Sequence, residues 1–103
     1  MDSMPDSTEM DPDGHNIVFE NEHVRVLEVR SMAGQQLATH SHPARLVVAI
    51  NGYRIKSTDL TGRESVVIDR RAGEAIWVEP ETHSAEILIG PTHVIEVEVK
   101  SAR

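Results

Sequence analysis

The sequence predicts an all-β domain that folds as a sandwich or barrel of short strands. Two observations support this. Apolar segments recur at short intervals and are separated by turn residues such as Asn51-Gly52, the stretch 59–62 and Gly90-Pro91. No stretch has a convincing helical period, apart from a short possible turn at 43–45. A chain of 103 residues with this pattern forms one domain, near the low end of what buries an adequate core alone.

The first fourteen residues differ from the rest of the chain. The stretch 1–14, MDSMPDSTEMDPDG, contains five acidic residues, two prolines and no lysine or arginine. Because it has too little apolar surface to offset the entropy cost of ordering, we expect a disordered acidic tail. The folded domain is then 15–103.

The remaining strands are predicted from alternation and turn chemistry. Strands are expected at 17–19 and 22–32, with a hairpin formed by 53–58 and 64–69, whose loop glycine suits a left-handed backbone. Segment 22–32 is apolar on both faces, so we expect a homodimer that covers it. Later strands are expected at 75–78, 84–89 and 92–100. In the last strand we assign one face to the interior (His93, Ile95, Val97, Val99) and the other to the exterior (Val94, Glu96, Glu98, Lys100).

Charge and composition exclude several classes of function. The formal net charge of −7 argues against nucleic acid as a partner, since phosphate binding requires a basic surface. There is no cysteine, so neither disulfides nor thiolate chemistry can contribute. No apolar run approaches membrane-spanning length, and the first residues form neither a basic segment nor an apolar one. We therefore expect a cytoplasmic protein without a membrane partner.

The stretch from Gly34 to Gly52 contains the strongest functional signal. It reads GQQLATHSHPARLVVAING and includes His40 and His42. In an extended strand these two imidazoles point to one face, which is how a sheet offers a metal two neutral nitrogen ligands. On spacing alone, such a pair is more often two half-exposed polar residues than a metal site.

Two motifs in this chain resemble those of the cupin superfamily. The spacing of Gly34, His40, His42 and Gly52 is similar to the first cupin motif, and residues 72–83 are similar to the second. The resemblance covers 22–100. It implies an RmlC-like jelly-roll barrel, also called a double-stranded β-helix.

The resemblance also implies a metal site. Carried over to this chain, the ligands would be His40, His42 and His83, while Arg45 stands where cupins usually have a ligand glutamate. Three histidines without a carboxylate are similar to the set found in thiol dioxygenases and diketone-cleaving dioxygenases. The cofactor would be a divalent ion of iron, nickel, copper, manganese or zinc, because three nitrogens satisfy all of them. Residues 79–83 depart from the usual second motif, since the proline is displaced and a glutamate replaces the turn glycine.

Four further residues are candidates for binding a substrate. Arg45 either holds an anionic group bidentately or pairs with a neighbouring glutamate. His93 is expected to line the pocket or core rather than to be a fourth ligand. Tyr53 and Trp77 are among the few aromatic residues, and Trp77 suits a core or dimer interface better than a cofactor contact. His15 and His23 are expected to be exposed.

These observations leave two functional hypotheses. One is a metal-dependent enzyme that acts on a small anionic metabolite, as a dioxygenase or alternatively as an isomerase or lyase. The other is a non-catalytic cupin that binds a small ligand or serves as a dimeric scaffold without a functional metal. The fold hosts many chemistries, so the site must decide between them.

Overall fold

Two antiparallel sheets form the domain in the computed structural model, which describes residues 6–100. One sheet has five strands in the order β1-β2-β9-β4-β7, and the other has four in the order β3-β8-β5-β6. This confirms the predicted all-β jelly-roll architecture. The core lies between the sheets and draws on both of them. The elements are α1 (Ser7–Met10), β1 (His15–Glu20), β2 (Val24–Ser31), β3 (Gln36–His42), β4 (Arg45–Ala49), β5 (Tyr53–Asp59), β6 (Ser65–Arg70), β7 (Ala75–Val78), β8 (Glu81–Ile89) and β9 (Thr92–Val99).

The turn chemistry explains where these strands end. Gly62 closes the β5–β6 hairpin with a φ of 76°, the left-handed conformation that glycine adopts without steric cost. The possible helical turn at 43–45 is instead a bend at Pro43-Ala44, which separates β3 from β4. The chain crosses from one sheet to the other at this corner. As a result, the histidine strand and the apolar strand that follows it lie in different layers.

The inward face of β9 is the opposite of the predicted one. Thr92, Val94, Glu96 and Glu98 are buried, whereas His93, Ile95 and Val97 are only half-buried and lie on the other face. The prediction assigned the more apolar face to the interior. It was wrong because part of the barrel interior is polar, and arginines there pair with both glutamates.

Strand β3 contains an irregularity just before its histidines. Leu37 pairs with Ala85 and His40 pairs with His83, so three steps along β3 match two along β8. The extra residue is a β-bulge, a feature that re-aims side chains near functional sites. After it, His40 and His42 are both buried.

The segment 6–14 packs against the barrel, unlike the separate acidic tail expected for 1–14. Asp6 caps α1 through a capping box, and its Oδ1 accepts a 2.8 Å hydrogen bond from Arg25 Nη2. Ser7 is fully buried. The low apolar content of this stretch predicts disorder, but Asp6 and Asp11 have ion-pair partners in the domain. The first five residues of the expected tail lie outside the described part of the chain.

The outer face of the five-stranded sheet is apolar across its whole width. Strand pairing aligns one residue from each strand in a continuous row. We call these residues the outer row: Phe19, Val26, Val97, Leu46 and Trp77. Phe19 and Trp77, at its ends, are 53% and 51% exposed. Among the described residues no helix is long and apolar enough to cross a membrane.

Candidate metal centre and cavity

Strands β3 and β8 bring the three predicted histidines together. His40 is the direct partner of His83 in the β3–β8 ladder, and His42 follows on the same face as His40. The ring centroid of His40 lies 4.8 Å from that of His42 and 4.8 Å from that of His83. The centroids of His42 and His83 are 5.5 Å apart. All three side chains are buried. The structure thus brings together the three histidines that the cupin resemblance named as ligands.

A fourth imidazole joins them from β1. His15 was expected to be exposed, but it is buried at the start of β1, with ring centroids 5.7 Å from His40 and 5.9 Å from His42. His15 begins β1 opposite Val29 of β2, whose side chain belongs to the core, so the same ladder position directs both side chains inward. His23, by contrast, is exposed as expected.

The Nδ1 atoms of His15 and His40 have acceptor-only partners. His15 Nδ1–H donates to Asp11 Oδ2 at 2.9 Å, and His40 Nδ1–H donates to the carbonyl oxygen of Ala38 at 2.7 Å. A carbonyl oxygen or an ionised carboxylate cannot donate, so the tautomer that these contacts favour has its proton on Nδ1. Nε2 then carries the lone pair that a metal needs.

The other two imidazoles differ in their Nδ1 partners. His42 Nδ1–H donates to Glu98 Oε2 at 3.3 Å, with Glu96 Oε1 at 3.5 Å. His83 Nδ1 shares a 2.7 Å hydrogen bond with Ser57 Oγ, a hydroxyl that can donate or accept. The carboxylate thus fixes the tautomer of His42, whereas the hydroxyl leaves that of His83 open.

Burial keeps these imidazoles neutral. It lowers the pKa of His40 and, more strongly, that of His42, where the nearby Arg45 guanidinium adds to the effect. Burial also lowers the pKa of His83 to about 4, against a smaller opposing contribution from Glu81. Neutral imidazoles are the form that binds metals, so the cluster is ready to accept an ion at neutral pH.

Among residues 6–100, two groups of side chains have donor atoms close enough for one ion, and one of them suits a metal better than the other. Nitrogens of His15, His40 and His42 lie within 4.8 Å of one another. Small side-chain rotations would bring such nitrogens to about 3.4 Å, the separation in a tetrahedral site with bonds of about 2.1 Å. The other group, His42 with Glu96 and Glu98, has donors equally close. Its carboxylates already pair with arginines, Glu98 with Arg25 and Glu96 with Arg45, and these cations would repel an ion. The histidine group is therefore the better fit.

Arg45 is buried in the wall of the same cavity. Its Nη2 donates to Glu81 Oε2 at 2.9 Å, and its Nε lies 3.3 Å from Glu96 Oε1 without hydrogen-bond geometry. Its Nη1 is buried and has no hydrogen-bond partner among residues 6–100. The predicted pairing with a glutamate is thus present, and a donor remains for a ligand. Burial raises the pKa of Glu96, so its carboxyl group is a weaker anionic partner than an exposed one.

The histidines and Arg45 line a cavity of about 160 Å³ between the sheets. Typical pockets for drug-sized ligands are about 300–1,000 Å³, so this space suits a molecule of only a few heavy atoms. Tyr53 lines the cavity, and burial raises the pKa of its hydroxyl group. Val47, Val94 and Ile87 supply apolar wall beside the polar groups. The cavity wall thus combines polar groups, among them the imidazoles, Arg45 and Glu96, with apolar side chains.

The other two predicted substrate-binding residues lie away from this cavity. His93 is on the outer face of β9, where its Nε2 lies 2.7 Å from Glu28 Oε2. Trp77 is half exposed on β7, and its Nε1–H donates to Glu79 Oε2 at 2.9 Å. Of the four candidates, Arg45 and Tyr53 line the cavity, whereas His93 and Trp77 do not.

Comparison with known proteins identifies the fold. No protein-family model and no curated protein matches the chain. A cupin domain from Bordetella pertussis Tohama I is similar in structure, with a TM-score of 0.73 and 22% identity over 98% of this chain and 100% of that one. An RmlC-like cupin protein from Desulfovibrio desulfuricans has a TM-score of 0.59 and 20% identity over 87% and 86% of the two chains. KdgF from Halomonas sp. has a TM-score of 0.56 and 16% identity over 84% and 79%.

The chain therefore has the cupin fold, as its two motifs predicted. Within that fold, its barrel encloses a cluster of buried imidazoles beside a buried arginine.

The sequence did not predict that three further residues are buried in or beside this cluster: His15, Glu96 and Glu98. The two glutamates were assigned to the exterior because they alternate with an apolar row. His15 lies outside both cupin motifs, and its one local signal is the acidic Asp11 four residues earlier.

Proposed function

We propose that this protein binds a divalent transition metal inside the barrel through His40 and His42 together with a further buried histidine. His83 is the further histidine that the cupin resemblance implies. The observation that supports the proposal most strongly is the state of the imidazoles. All four imidazoles are buried, and burial lowers the pKa of His40, His42 and His83. Their Nδ1 atoms have partners, whereas no residue of 6–100 forms a hydrogen bond with Nε2 of His15, His40, His42 or His83.

This pattern is typical of metal-binding histidines, which generally donate their other ring N–H to a carboxylate or a carbonyl. A divalent ion held there would supply a Lewis acid with open positions for small molecules. The identity of the ion stays among iron, nickel, copper, manganese and zinc, since an all-nitrogen donor set accepts each of them.

We further propose that a small anionic metabolite binds beside the ion. The buried Nη1 of Arg45 lacks an acceptor, and a carboxylate oxygen would satisfy it at low cost. The cavity of about 160 Å³ limits the ligand to a few heavy atoms. The proposed reaction is oxygenation of that ligand, with isomerisation and lyase chemistry as the alternatives that the same groups would support.

Metal titration tests the first proposal. Calorimetry with Zn²⁺, Ni²⁺, Cu²⁺, Mn²⁺ and anaerobic Fe²⁺ should show tight binding of at least one ion to the wild-type protein. His40→Ala and His42→Ala should abolish it. His93→Ala is the matched control, because this histidine lies on the outer face of the barrel. Equal weak heats for wild type and His40→Ala would rule out the site.

A titration with small carboxylates tests the second proposal. Acetate, pyruvate and oxalate should perturb the amide resonances of β4 and β5 in the wild-type protein and lose affinity in Arg45→Gln. Arg54→Gln is the control, since Arg54 is exposed and pairs with Asp69. Equal affinities in all three proteins would contradict a role for Arg45.

A dimeric scaffold without a functional metal is the second candidate function, and the outer row favours it. This apolar row crosses all five strands of one sheet, and its end residues are exposed within a single chain. Pairing of two such faces would bury it, and a homodimer is the commonest symmetric solution. The scaffold and the metal site are compatible, because the row lies outside the barrel and the imidazoles lie inside.

A further inference from the structure

We propose that His15 is a metal ligand and that the N-terminal segment, residues 6–15, therefore completes the metal centre. The inference rests on the proposed metal function. It departs from the ligand set that the two sequence motifs imply, because His15 lies outside both of them and replaces His83 as the third fixed nitrogen.

Two independent observations select the same three residues. The first is distance, because the group of nitrogens lying within 4.8 Å of one another comes from His15, His40 and His42 and does not include His83. The second is the tautomer. In these three residues Nδ1 faces a carbonyl or carboxyl oxygen, whereas in His83 it faces a hydroxyl group.

The segment is built to hold His15 in place. Asp11 Oδ2 lies 2.9 Å from His15 Nδ1, and both side chains are shielded from solvent. The backbone N–H of His15 also donates to the carbonyl oxygen of Asp11 at 3.0 Å. A Cβ at Gly14 would lie 2.2 Å from Asp11 Oδ2 and 2.8 Å from the carbonyl oxygen of Arg30, so this close approach requires glycine.

The same segment reaches a second ligand through a chain of ion pairs. Asp6 Oδ1 accepts from Arg25 Nη2 at 2.8 Å, and Arg25 Nε donates to Glu98 Oε1 at 2.8 Å. The other oxygen of Glu98 accepts from His42 Nδ1 at 3.3 Å. Residues of one short segment thus support two of the three ligands, one directly and one through Arg25 and Glu98.

The experiment is a Zn²⁺ titration of full-length proteins, followed by calorimetry and by side-chain ¹⁵N spectra of the histidines. The variants are His15→Asn, His83→Asn, Asp11→Asn and His40→Asn, and His23→Asn is the control because His23 is exposed. On adding Zn²⁺, the Nε2 resonances of His15, His40 and His42 should shift. His15→Asn should weaken binding at least about 100-fold and Asp11→Asn about 10- to 100-fold, the range typical for loss of an outer partner. His83→Asn and His23→Asn should change it by less than about threefold, because neither removes a ligand or its partner.

The outcomes separate the two proposals. If wild type binds Zn²⁺ and His40→Asn abolishes binding while His15→Asn binds normally, His15 is not a ligand and the metal function stands. If wild type binds neither Zn²⁺ nor any of the other four ions named for the calorimetric test of the proposed function, both proposals fail. Should His15→Asn not fold, Asp11→Asn decides, since unchanged affinity together with an unshifted His15 Nε2 resonance would overturn the assignment.

Discussion

Arg45 of β4 donates a 2.9 Å hydrogen bond to Glu81 of β8, which joins the two sheets at the wall of the cavity. The guanidinium group also lies 3.3 Å from the buried Glu96. The carboxyl groups of Glu81 and Glu96 come from different sheets, and both have the buried Arg45 guanidinium as an ion-pair partner. Removing that cation would leave the buried Glu96 without its ion-pair partner.

We therefore expect Arg45→Met to destabilise the protein by about 3–5 kcal/mol, the usual effect of leaving one partner of a buried ion pair alone. Adding Glu96→Gln to it should recover a large part of this loss, because the second change removes the uncompensated charge. Urea unfolding of wild type, both single variants and the double variant gives the coupling energy. Strictly additive effects would contradict the pairing.

The buried His83 should make stability depend on pH. Its pKa is about 4 in the folded protein, against about 6.5 for an ordinary imidazole. Below pH 6.5 the unfolded chain takes up a proton that the folded protein does not, so the contribution to stability present above that pH is lost as the pH falls towards 4. Between pH 7.5 and 5, metal-free wild type should lose about 2 kcal/mol more unfolding free energy than His83→Gln does. His23→Gln, at an exposed position, serves as the control, and parallel curves for wild type and His83→Gln would contradict the prediction.

Removing residues 6–14 should lower the stability of the domain. A chain that begins at His15 loses the Asp6–Arg25 ion pair, the buried Ser7 and the Asp11 partner of His15. For a domain of this size each kcal/mol lost lowers the thermal midpoint by roughly 4–8 °C, and we expect a fall of at least about 4 °C. The comparison is a chain that begins at Asp6, because it differs from the shorter chain only by residues 6–14. Equal midpoints for the two chains would show that residues 6–14 make no net contribution.

The outer row should be a dimer interface. We expect sedimentation to give a dimer mass for the wild-type protein at micromolar concentration and a monomer mass for Trp77→Glu, since the new charge would be buried at the interface. Val67→Glu is the matched control, because Val67 is 57% exposed on the other sheet, compared with 51% for Trp77. A wild-type monomer at that concentration would rule out the interface.

The predictable features of the site are those that local sequence determines. Alternation predicted the strands, and the spacing of His40 and His42 predicted that both face inward. Their meeting with His83 required the fold as well, and the two motifs supplied it through the resemblance. These features depend on residues that are neighbours along a strand or belong to a recognisable motif.

The features that could not be predicted depend on charged groups that are buried and paired inside the barrel. Residues Glu96 and Glu98 look exterior because hydrophobicity is the usual guide to the inward face, and that guide fails where buried charges pair with Arg45 and Arg25. The apolar Ile95 and Val97 face outward on the same strand for the same reason. His15 joins the buried imidazoles because β1 pairs with β2, and this pairing cannot be predicted from the residues next to His15.

The bulge in β3 has a consequence for changes in chain length. Its extra residue lies between Leu37 and His40, and Ala38 within it provides the carbonyl oxygen that fixes the tautomer of His40. Loss of a single codon there, for example that of Thr39, would give β3 a regular ladder with β8 and leave both histidines facing inward. Such a deletion would spare the fold while releasing one imidazole from its backbone acceptor. Evolution could thus loosen or tighten this ligand by inserting or deleting one residue, without altering any of the histidines.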